Sequence, residues 1–260
     1  MAEKASGANQ DTLWSARAAE RHRLVAGAMT GLWGAMLDAA GVTAGSRFLD
    51  AGCGSGGASS IAAGRGARIS GIDVAKGMVE LARSLVPAGH FVVGDLLSLP
   101  WPDASFDCAI ACNSVHFTAD PPRALAELRR VCVPGGAVAV CCLGLPEECE
   151  SSVVHRAVRA LYQPRDGGAY QLSGRGVLDG LMARAGFRAG HGAKVDVDMR
   201  WDSFDTAVQA QLTIGPVQEA MGAVGEARVV AALREALGPY LQPDGTVRLR
   251  NLFRYVTGVA

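Results

Sequence analysis

Short apolar runs alternate with amphipathic stretches between residues 46 and 143, and this pattern predicts repeated β-α-β units around a parallel sheet. We expect strands near 46–51, 68–73, 90–93, 106–111 and 136–143, and helices near 56–65, 76–86 and 119–132. The last of these helices should end before Pro134-Gly135-Gly136, because proline cannot continue a helix and glycine permits the turn.

The flanking segments have a different pattern. Residues 1–10 are small and polar, and we expect them to be disordered. Apolar positions at helical spacing in residues 11–40 predict two helices, which we interpret as an N-terminal cap. Residues 145–240 are mostly helical in pattern and are interpreted as a helical lid, interrupted by a strand near 187–199. A last strand is expected at 247–256, and because no β-α-β rhythm joins these two late strands, they suggest a terminal antiparallel pair.

The chain is long enough for one sizeable core. It has 260 residues, of which 49% are hydrophobic, so we expect a single domain over residues 1–260 rather than two domains. The expected fold class is α/β, with a doubly wound, Rossmann-like, mostly parallel seven-stranded sheet whose last strand is antiparallel, together with the N-terminal helices and the helical lid.

Charge and cysteine content exclude several classes of function. Lys plus Arg and Asp plus Glu both number 25, and this balance lacks the basic face expected of a nucleic-acid-binding protein. The seven cysteines are an odd number and fall mostly in apolar runs, so we expect a reduced, cytoplasmic protein. Their spacing completes no zinc site, and we expect no metal. No uncharged apolar stretch approaches the roughly 18 residues of a membrane span, so a soluble protein is expected.

A glycine loop follows the first predicted strand. Residues 48–57 read Phe-Leu-Asp-Ala-Gly-Cys-Gly-Ser-Gly-Gly, and glycines in such a loop permit a sharp turn and the close approach of a ligand. Gly52, Gly54 and Gly57 fit the dinucleotide pattern G-x-G-x-x-G. The same segment also fits the S-adenosylmethionine pattern [DE]-x-G-x-G-x-G, which starts at Asp50. The loop alone therefore predicts a nucleotide cofactor and leaves both cofactors open.

Polar residues stand at four successive strand ends, where ligands bind in a doubly wound sheet. These are Asp50, Asp73, Gly94-Asp95 and the segment from Asn113 to His116. Asp73 lies one helix and one strand beyond the glycine loop, so its carboxylate could accept from both ribose hydroxyls. Asp95 could accept from an adenine amine, beside the Leu96 amide. The alternatives are an Asp73 that caps the following helix and an Asp95 that forms a turn.

These motifs together resemble a class I S-adenosylmethionine-dependent methyltransferase, and the similarity is closest to the small-molecule branch that includes ubiquinone/menaquinone-type enzymes. The resemblance rests on Asp50 to Gly56, Asp73 with Met78, Gly94-Asp95 and Pro134-Gly135-Gly136, and it covers residues 46–143. Dehydrogenases usually lack an acidic residue two positions before the first glycine and have no counterpart of Gly94-Asp95. The resemblance therefore favours methyl transfer over an NAD-dependent oxidation.

The resemblance implies S-adenosylmethionine as cofactor and assigns its contacts. The loop would hold the methionine moiety, and the end of the second strand would hold the ribose. The Met78 side chain would pack on one face of the adenine, and the end of the fourth strand would lie near the sulfonium. The implied cofactor-binding residues are Asp50, Gly52, Cys53, Gly54, Gly56, Asp73, Val74, Met78, Gly94, Asp95, Leu96, Asn113 and Ser114. For Met78, a core position on an amphipathic helix is the alternative.

The chemistry needs little from side chains, because the cofactor already activates the methyl group and the protein mainly aligns the acceptor and excludes water. His116 follows the fourth strand, and an imidazole there could act as a base towards a hydroxyl or amine. A histidine that only shapes the loop is the alternative. We expect a small, partly apolar acceptor that is methylated on O, N or C. A methyltransferase-like protein that catalyses a cyclisation or rearrangement without methyl transfer is the second hypothesis.

Overall fold

The computed structural model describes residues 7–163 and 168–260. The helices are α1 (Gly7–Ser15), α2 (Ala18–Ala39), α3 (Gly57–Gly64), α4 (Lys76–Leu85), α5 (Pro121–Val131), α6 (Ser152–Leu161), α7 (Val177–Arg184), α8 (Phe204–Leu212), α9 (Gly215–Val224) and α10 (Glu226–Leu237). The strands are β1 (Arg47–Ala51), β2 (Arg68–Asp73), β3 (His90–Val93), β4 (Phe106–Cys112), β5 (Cys132–Leu143), β6 (Arg188–Trp201) and β7 (Val247–Val259).

The seven strands form one sheet in the order β3-β2-β1-β4-β5-β7-β6. Strands β1 to β5 pair in parallel, whereas β7 lies between β5 and β6 and is antiparallel to both. This arrangement confirms the expected mostly parallel seven-stranded sheet with an antiparallel last strand. Strand order reverses between β1 and β4, which is the position where ligands bind in this class of fold.

Two details differ from the sequence-based expectations. Helix α1 begins at Gly7, so residues 7–10 are helical rather than disordered, while residues 1–6 lie outside the described part of the chain. Strand β5 begins at Cys132, immediately after α5, so Pro134-Gly135-Gly136 lies inside the strand. Proline is tolerated there because the pairing of β5 with β4 is irregular between Cys132 and Ala137, so that Pro134 has no partner on β4. The amide of Gly135 donates to the carbonyl of Ala260 at 2.9 Å.

Hydrophobic layers cover both faces of the sheet. One layer packs α2, α3 and α4 against one face, through side chains such as Leu32, Met36 and Phe48. The other face packs against α5 and α7, through residues such as Leu125 and Leu178. Helices α6, α8, α9 and α10, in the segment expected to be a helical lid, share a third apolar cluster with the ends of β6 and β7.

Helix α1 caps the start of α4 from outside that helix. The Asp11 carboxylate accepts a hydrogen bond from the Lys76 amide at 2.8 Å, and the Ser15 hydroxyl accepts one from the Gly77 amide at 2.9 Å. First-turn amides have no partner within their own helix, so these two side chains satisfy donors that would otherwise depend on water. The N-terminal cap is thereby joined directly to the helix that follows β2.

Gly56 allows α3 and α4 to approach closely. Its φ is +84°, and a Cβ at this position would lie 3.0 Å from the Cα of Ala82 on α4. A side chain would therefore meet both a strained backbone conformation and the backbone of another helix. Gly245 has nearly the same φ, +83°, but a Cβ there would meet nothing within 4 Å.

We expect Gly56→Ala to lower the free energy of unfolding by about 2–4 kcal/mol, because left-handed strain and the contact with α4 add together. Gly245→Ala, the matched control, should lose only the strain contribution of about 1–2 kcal/mol. Urea unfolding followed by circular dichroism measures both. Equal losses in the two variants would contradict a close contact at Gly56.

Candidate active site

A cavity of about 220 Å³ opens at the carboxyl ends of β1, β2, β3 and β4, and α1 and α2 form its opposite wall. All of the predicted site residues except Gly56 and His116 line it. The predicted residues in its wall are Asp50, Gly52, Cys53, Gly54, Asp73, Val74, Met78, Gly94, Asp95, Leu96, Asn113 and Ser114. The structure therefore brings together residues from four strand ends, as their placement along the sequence indicates.

Asp73 joins the glycine loop to the second strand end. One carboxylate oxygen accepts from the Gly54 amide at 2.9 Å, and the other accepts from the Ala75 amide at 2.9 Å. Burial raises the pKa of this carboxyl above its ordinary value, and the amide hydrogen bonds oppose that rise. Asp73 thus holds the loop in place and also faces the cavity. Its second hydrogen bond comes from the amide of the residue before α4 and not from an amide inside that helix.

Asp50 is a second acidic group behind the loop. It is 2% exposed, and its carboxylate accepts a hydrogen bond from the Ser59 hydroxyl at 2.7 Å. Burial raises its pKa to about 6; the Ser59 hydrogen bond opposes this rise and the charge of Asp73 adds to it. A bound cation would lower the cost of keeping both carboxylates ionised. The ammonium and sulfonium groups of S-adenosylmethionine fit this acidic wall.

The loop backbone approaches the fourth strand end closely at Gly52. Its φ is +77°, and a Cβ there would lie 2.2 Å from the Cβ of Ser114. The Ser114 hydroxyl donates to the Ala51 carbonyl at 2.7 Å, which fixes the two loops against each other. Gly52 is therefore needed for the shape of the cavity floor.

Asn113 has an unusual conformation and an unused polar atom. Its φ is +56°, a left-handed value that asparagine adopts more readily than most residues. Its side-chain oxygen is buried and has no hydrogen-bond partner among the described residues. Because buried polar atoms are normally paired, an acceptor left open in the cavity wall fits a site that binds a donor-bearing ligand.

Asp95 and Met78 lie in the cavity wall, and each also makes the interaction given as its alternative. The Asp95 carboxylate accepts from the Leu97 amide at 2.9 Å, which is the turn interaction given as its alternative. Met78 is 4% exposed and packs with Ala18 and Ala75, so it is also a core residue.

His116 does not reach the cavity. The side chain is 1% exposed, and neither ring nitrogen has a hydrogen-bond partner among the described residues. Burial lowers its pKa to about 3, with a smaller effect from the charge of His155. The expected base is thus a buried neutral imidazole behind the loop, while the next residue, Phe117, lines the cavity. Gly56 is the second predicted site residue outside the wall, because it faces α4.

The cap supplies a wall that the motif-based reasoning did not assign. The cavity-lining side chains of α1 and α2 are Gln10, Trp14, Arg21, His22, Val25, Ala26, Met29 and Trp33. Those of α2 recur at helical spacing, which was the signal available in the sequence. His22 of α2 has its Nδ1 2.9 Å from the Ser55 hydroxyl of the glycine loop.

Two further observations concern the described part of the chain. Within residues 7–163 and 168–260, no group of three or more His, Cys, Asp or Glu side chains is placed to hold a metal ion. No helix in these same ranges is both long enough and apolar enough to cross a membrane.

Comparison with known proteins identifies the central region. Residues 49–140 match a family model described as a methyltransferase domain. A malonyl-[acyl-carrier protein] O-methyltransferase of Serratia marcescens is 43% identical over 94 residues, covering 36% of this chain and 37% of the relative. The O-methyltransferase cnsE of Penicillium expansum is 34% identical over 151 residues, covering 55% of this chain and 52% of the relative. The chain thus spans between about a third and a half of these relatives' lengths.

Solved structures agree on the fold. The [4+2]-cyclase SpnF superimposes with a TM-score of 0.56 at 23% identity, covering 88% of this chain and 80% of the cyclase. The fold thus agrees with the match of residues 49–140 to the methyltransferase domain model. The class I type expected from the sequence is confirmed, and S-adenosylmethionine is confirmed as the cofactor of that family.

We expect Asp73→Ala to weaken binding of S-adenosylhomocysteine by about 1.5–3 kcal/mol, or about 10- to 150-fold, because a charged hydrogen-bond acceptor is lost at the cavity. Isothermal titration calorimetry measures the affinity. Asp202→Ala is the matched control, since Asp202 is exposed between β6 and α8. Unchanged affinity in Asp73→Ala would contradict a role for this carboxylate in the cofactor site.

We expect His116 to make the protein sensitive to acid. Its folded pKa of about 3 lies below the unfolded value of about 6.5, so between these pH values the unfolded chain binds a proton that the folded chain does not. Stability should therefore fall as pH falls through this window. When the pH is lowered from 7 to 4.5, the free energy of unfolding should fall in both proteins. The fall should be about 2 kcal/mol smaller in His116→Phe than in the unsubstituted protein.

Urea titrations at each pH measure this difference. His90→Phe is the control, because it makes the same replacement at an exposed histidine. His155, whose pKa burial lowers to about 4, contributes equally to all three proteins. Identical pH dependence in His116→Phe and the unsubstituted protein would show that His116 titrates normally.

Proposed function

We propose that this protein transfers the methyl group of S-adenosylmethionine to an oxygen atom of a small, partly apolar molecule. The observation that carries the proposal is the convergence of Asp50, Asp73, Asp95 and Asn113 from four strand ends around one cavity at the point where strand order reverses. The family match over residues 49–140 supports the same chemistry. Oxygen is favoured as acceptor atom because two relatives, from Serratia marcescens and Penicillium expansum, are named O-methyltransferases.

Each part of the proposed site has a physical role. Asp50 and the backbone of the glycine loop would hold the methionine moiety. Asp73 would bind the ribose, and Met78 and Asp95 would bind the adenine. Asn113 and Ser114 would bound the reacting end. When bound, the cofactor supplies a methyl group already activated by its sulfonium, so the chain's own contribution is to orient the acceptor and exclude water.

The cap supports a small, partly apolar acceptor. Val25, Ala26, Met29 and Trp33 present apolar surface to the cavity. The buried position of His116 removes the reason for assigning it as a base, and the proposed transfer does not depend on one. That the acceptor is not a nucleic acid and that the protein works in the cytoplasm remain predictions from composition.

The proposal is tested by incubating the protein with S-adenosylmethionine labelled in the methyl group and a panel of phenols, carboxylic acids, amines and 1,3-dicarbonyl compounds. We expect label in an extractable product, formed in equal amount to S-adenosylhomocysteine, and at least a tenfold loss of this turnover in Asp73→Ala under subsaturating cofactor.

Two results would point elsewhere. Conversion of a compound without label in the product would favour a cyclisation or rearrangement, a possibility that the shared fold of the [4+2]-cyclase SpnF keeps open. A melting temperature raised by NAD and unaffected by S-adenosylhomocysteine would overturn the cofactor assignment in favour of an oxidoreductase.

A further inference from the structure

Arg21 is a positive charge inside the cavity wall. It lies on the face of α2 that also carries His22 and Val25, and its side chain lines the cavity. Its guanidinium carbon stands 5.1 Å from the centre of the Trp14 ring, and one guanidinium nitrogen lies 3.5 Å from the Thr213 hydroxyl. The neighbours that hold Arg21 in place are thus an aromatic ring and a neutral hydroxyl.

Arg21 has no acidic partner within ion-pair distance among the residues that the structure describes. The contrast with Arg17, one turn earlier on the chain, is direct: Arg17 pairs with Glu20 at 3.4 Å and with Glu226 at 3.7 Å. Burial lowers the pKa of Arg21 to about 10, so the group still carries its charge at neutral pH. A half-buried charge without a counter-ion is unfavourable, and a bound anion would offset that cost.

The positive charge is separated from the acidic residues of the cavity. Asp50, Asp73 and Asp95 stand at the strand ends, whereas Arg21 stands on the cap. Trp14, over which Arg21 lies, contacts the ring of Phe117 at 5.2 Å between centroids, and both rings line the cavity. The cavity therefore has an acidic floor suited to the cationic groups of the cofactor and a basic group beside an aromatic wall.

The cofactor's own carboxylate has another place to bind. Ser55 lines the cavity at the start of α3, and a helix N-terminus with its first-turn amides favours an anion. Arg21 is placed instead on the side of the cavity formed by the cap, near Thr213 at the junction of α8 and α9.

Resting on the proposed function, we propose that the acceptor is a small organic acid whose carboxylate is bound by Arg21. The planar guanidinium matches a carboxylate with two parallel hydrogen bonds. The apolar body of the acid would lie along Val25, Met29 and the rings of Trp14 and Phe117. Arg21 is then the residue that selects anionic acceptors over neutral molecules of the same shape.

The test compares carboxylic acids with their amides on the purified full chain. The probes are 4-hydroxybenzoate with 4-hydroxybenzamide and decanoate with decanamide, titrated by calorimetry with and without saturating S-adenosylhomocysteine. We expect at least one acid to bind tenfold or more tightly than its amide. Arg21→Gln should abolish this preference, and Arg21→Lys should keep part of it. Arg17→Gln, which removes a charge that is already paired, should keep all of it.

A further readout separates this role from a structural one. Because Arg21 has no counter-ion among the described residues, Arg21→Gln should leave the melting temperature of the ligand-free protein unchanged or raised. Arg17→Gln should lower it, since two ion pairs are lost. A lower melting temperature in Arg21→Gln would indicate that Arg21 stabilises the fold and would count against the proposal.

Three results would overturn the proposal: no acid binds the unsubstituted protein more tightly than its amide, the preference survives in Arg21→Gln, or Arg21 serves the cofactor. In the last case Arg21→Gln would weaken the binding of S-adenosylhomocysteine tenfold or more. The binding of the analogue of S-adenosylhomocysteine that lacks the carboxylate would be unchanged. The titrations without S-adenosylhomocysteine test the binding of acids by Arg21 independently of the proposed methyl transfer. Failure of S-adenosylhomocysteine to bind would contradict the proposed function, whereas the acid preference would still be measured.

Discussion

The cavity depends on the two hydrogen bonds that Asp73 accepts. By holding the amides of Gly54 and Ala75 at 2.9 Å each, one carboxylate fixes the glycine loop of β1 to the end of β2. The close approach of Gly52 to Ser114 then joins the same loop to the end of β4. Three strand ends are thereby held in one arrangement, and the polar groups around the cavity are positioned before any ligand arrives. Such preorganisation is what a reaction based on alignment requires.

Charge is distributed unevenly around this rigid floor. Burial raises the pKa of Asp50 to about 6, and the charge of nearby Asp73 adds to that rise. On the opposite wall, Arg21 keeps its charge without an acidic partner among the described residues. The cavity thus separates charges that would neutralise each other if they were in contact. A cationic ligand against the acidic floor and an anionic ligand against Arg21, bound side by side, would suit this distribution of charge better than one neutral ligand.

Much of this could be predicted from the sequence because β-α-β units leave a regular pattern. The strand ends at Asp50, Asp73 and Asp95 followed from apolar runs and from the rule that ligands bind at the carboxyl ends of parallel strands. His116 could not be placed in this way, since rotation within a short loop decides whether its side chain faces the cavity or the core. The position of Gly56 outside the cavity wall could not be predicted for a related reason: a glycine with positive φ serves a ligand and a neighbouring helix equally well.

The cap was the hardest part to predict. Apolar spacing on α2 indicates a buried face, but the part of the sheet that this face meets depends on long-range docking that the pattern does not encode. Arg21 and His22 illustrate the limit, because a charged residue and a histidine beside an apolar stripe usually belong to a solvated edge. In the structure both line the cavity.

The two helices of the cap are held by different forces, and this difference determines where the cavity opens most easily. Helix α2 has fully buried side chains at Leu32, Met36 and Leu37, so its displacement would expose core surface. None of the side chains of residues 10–15 in α1 is fully buried, and this helix is tied to α4 through Asp11 and Ser15. Hydrogen bonds of this kind contribute only about 1 kcal/mol each. Displacing α1 would therefore cost less than displacing α2, so the wall of the cavity is easier to open at α1 than at α2.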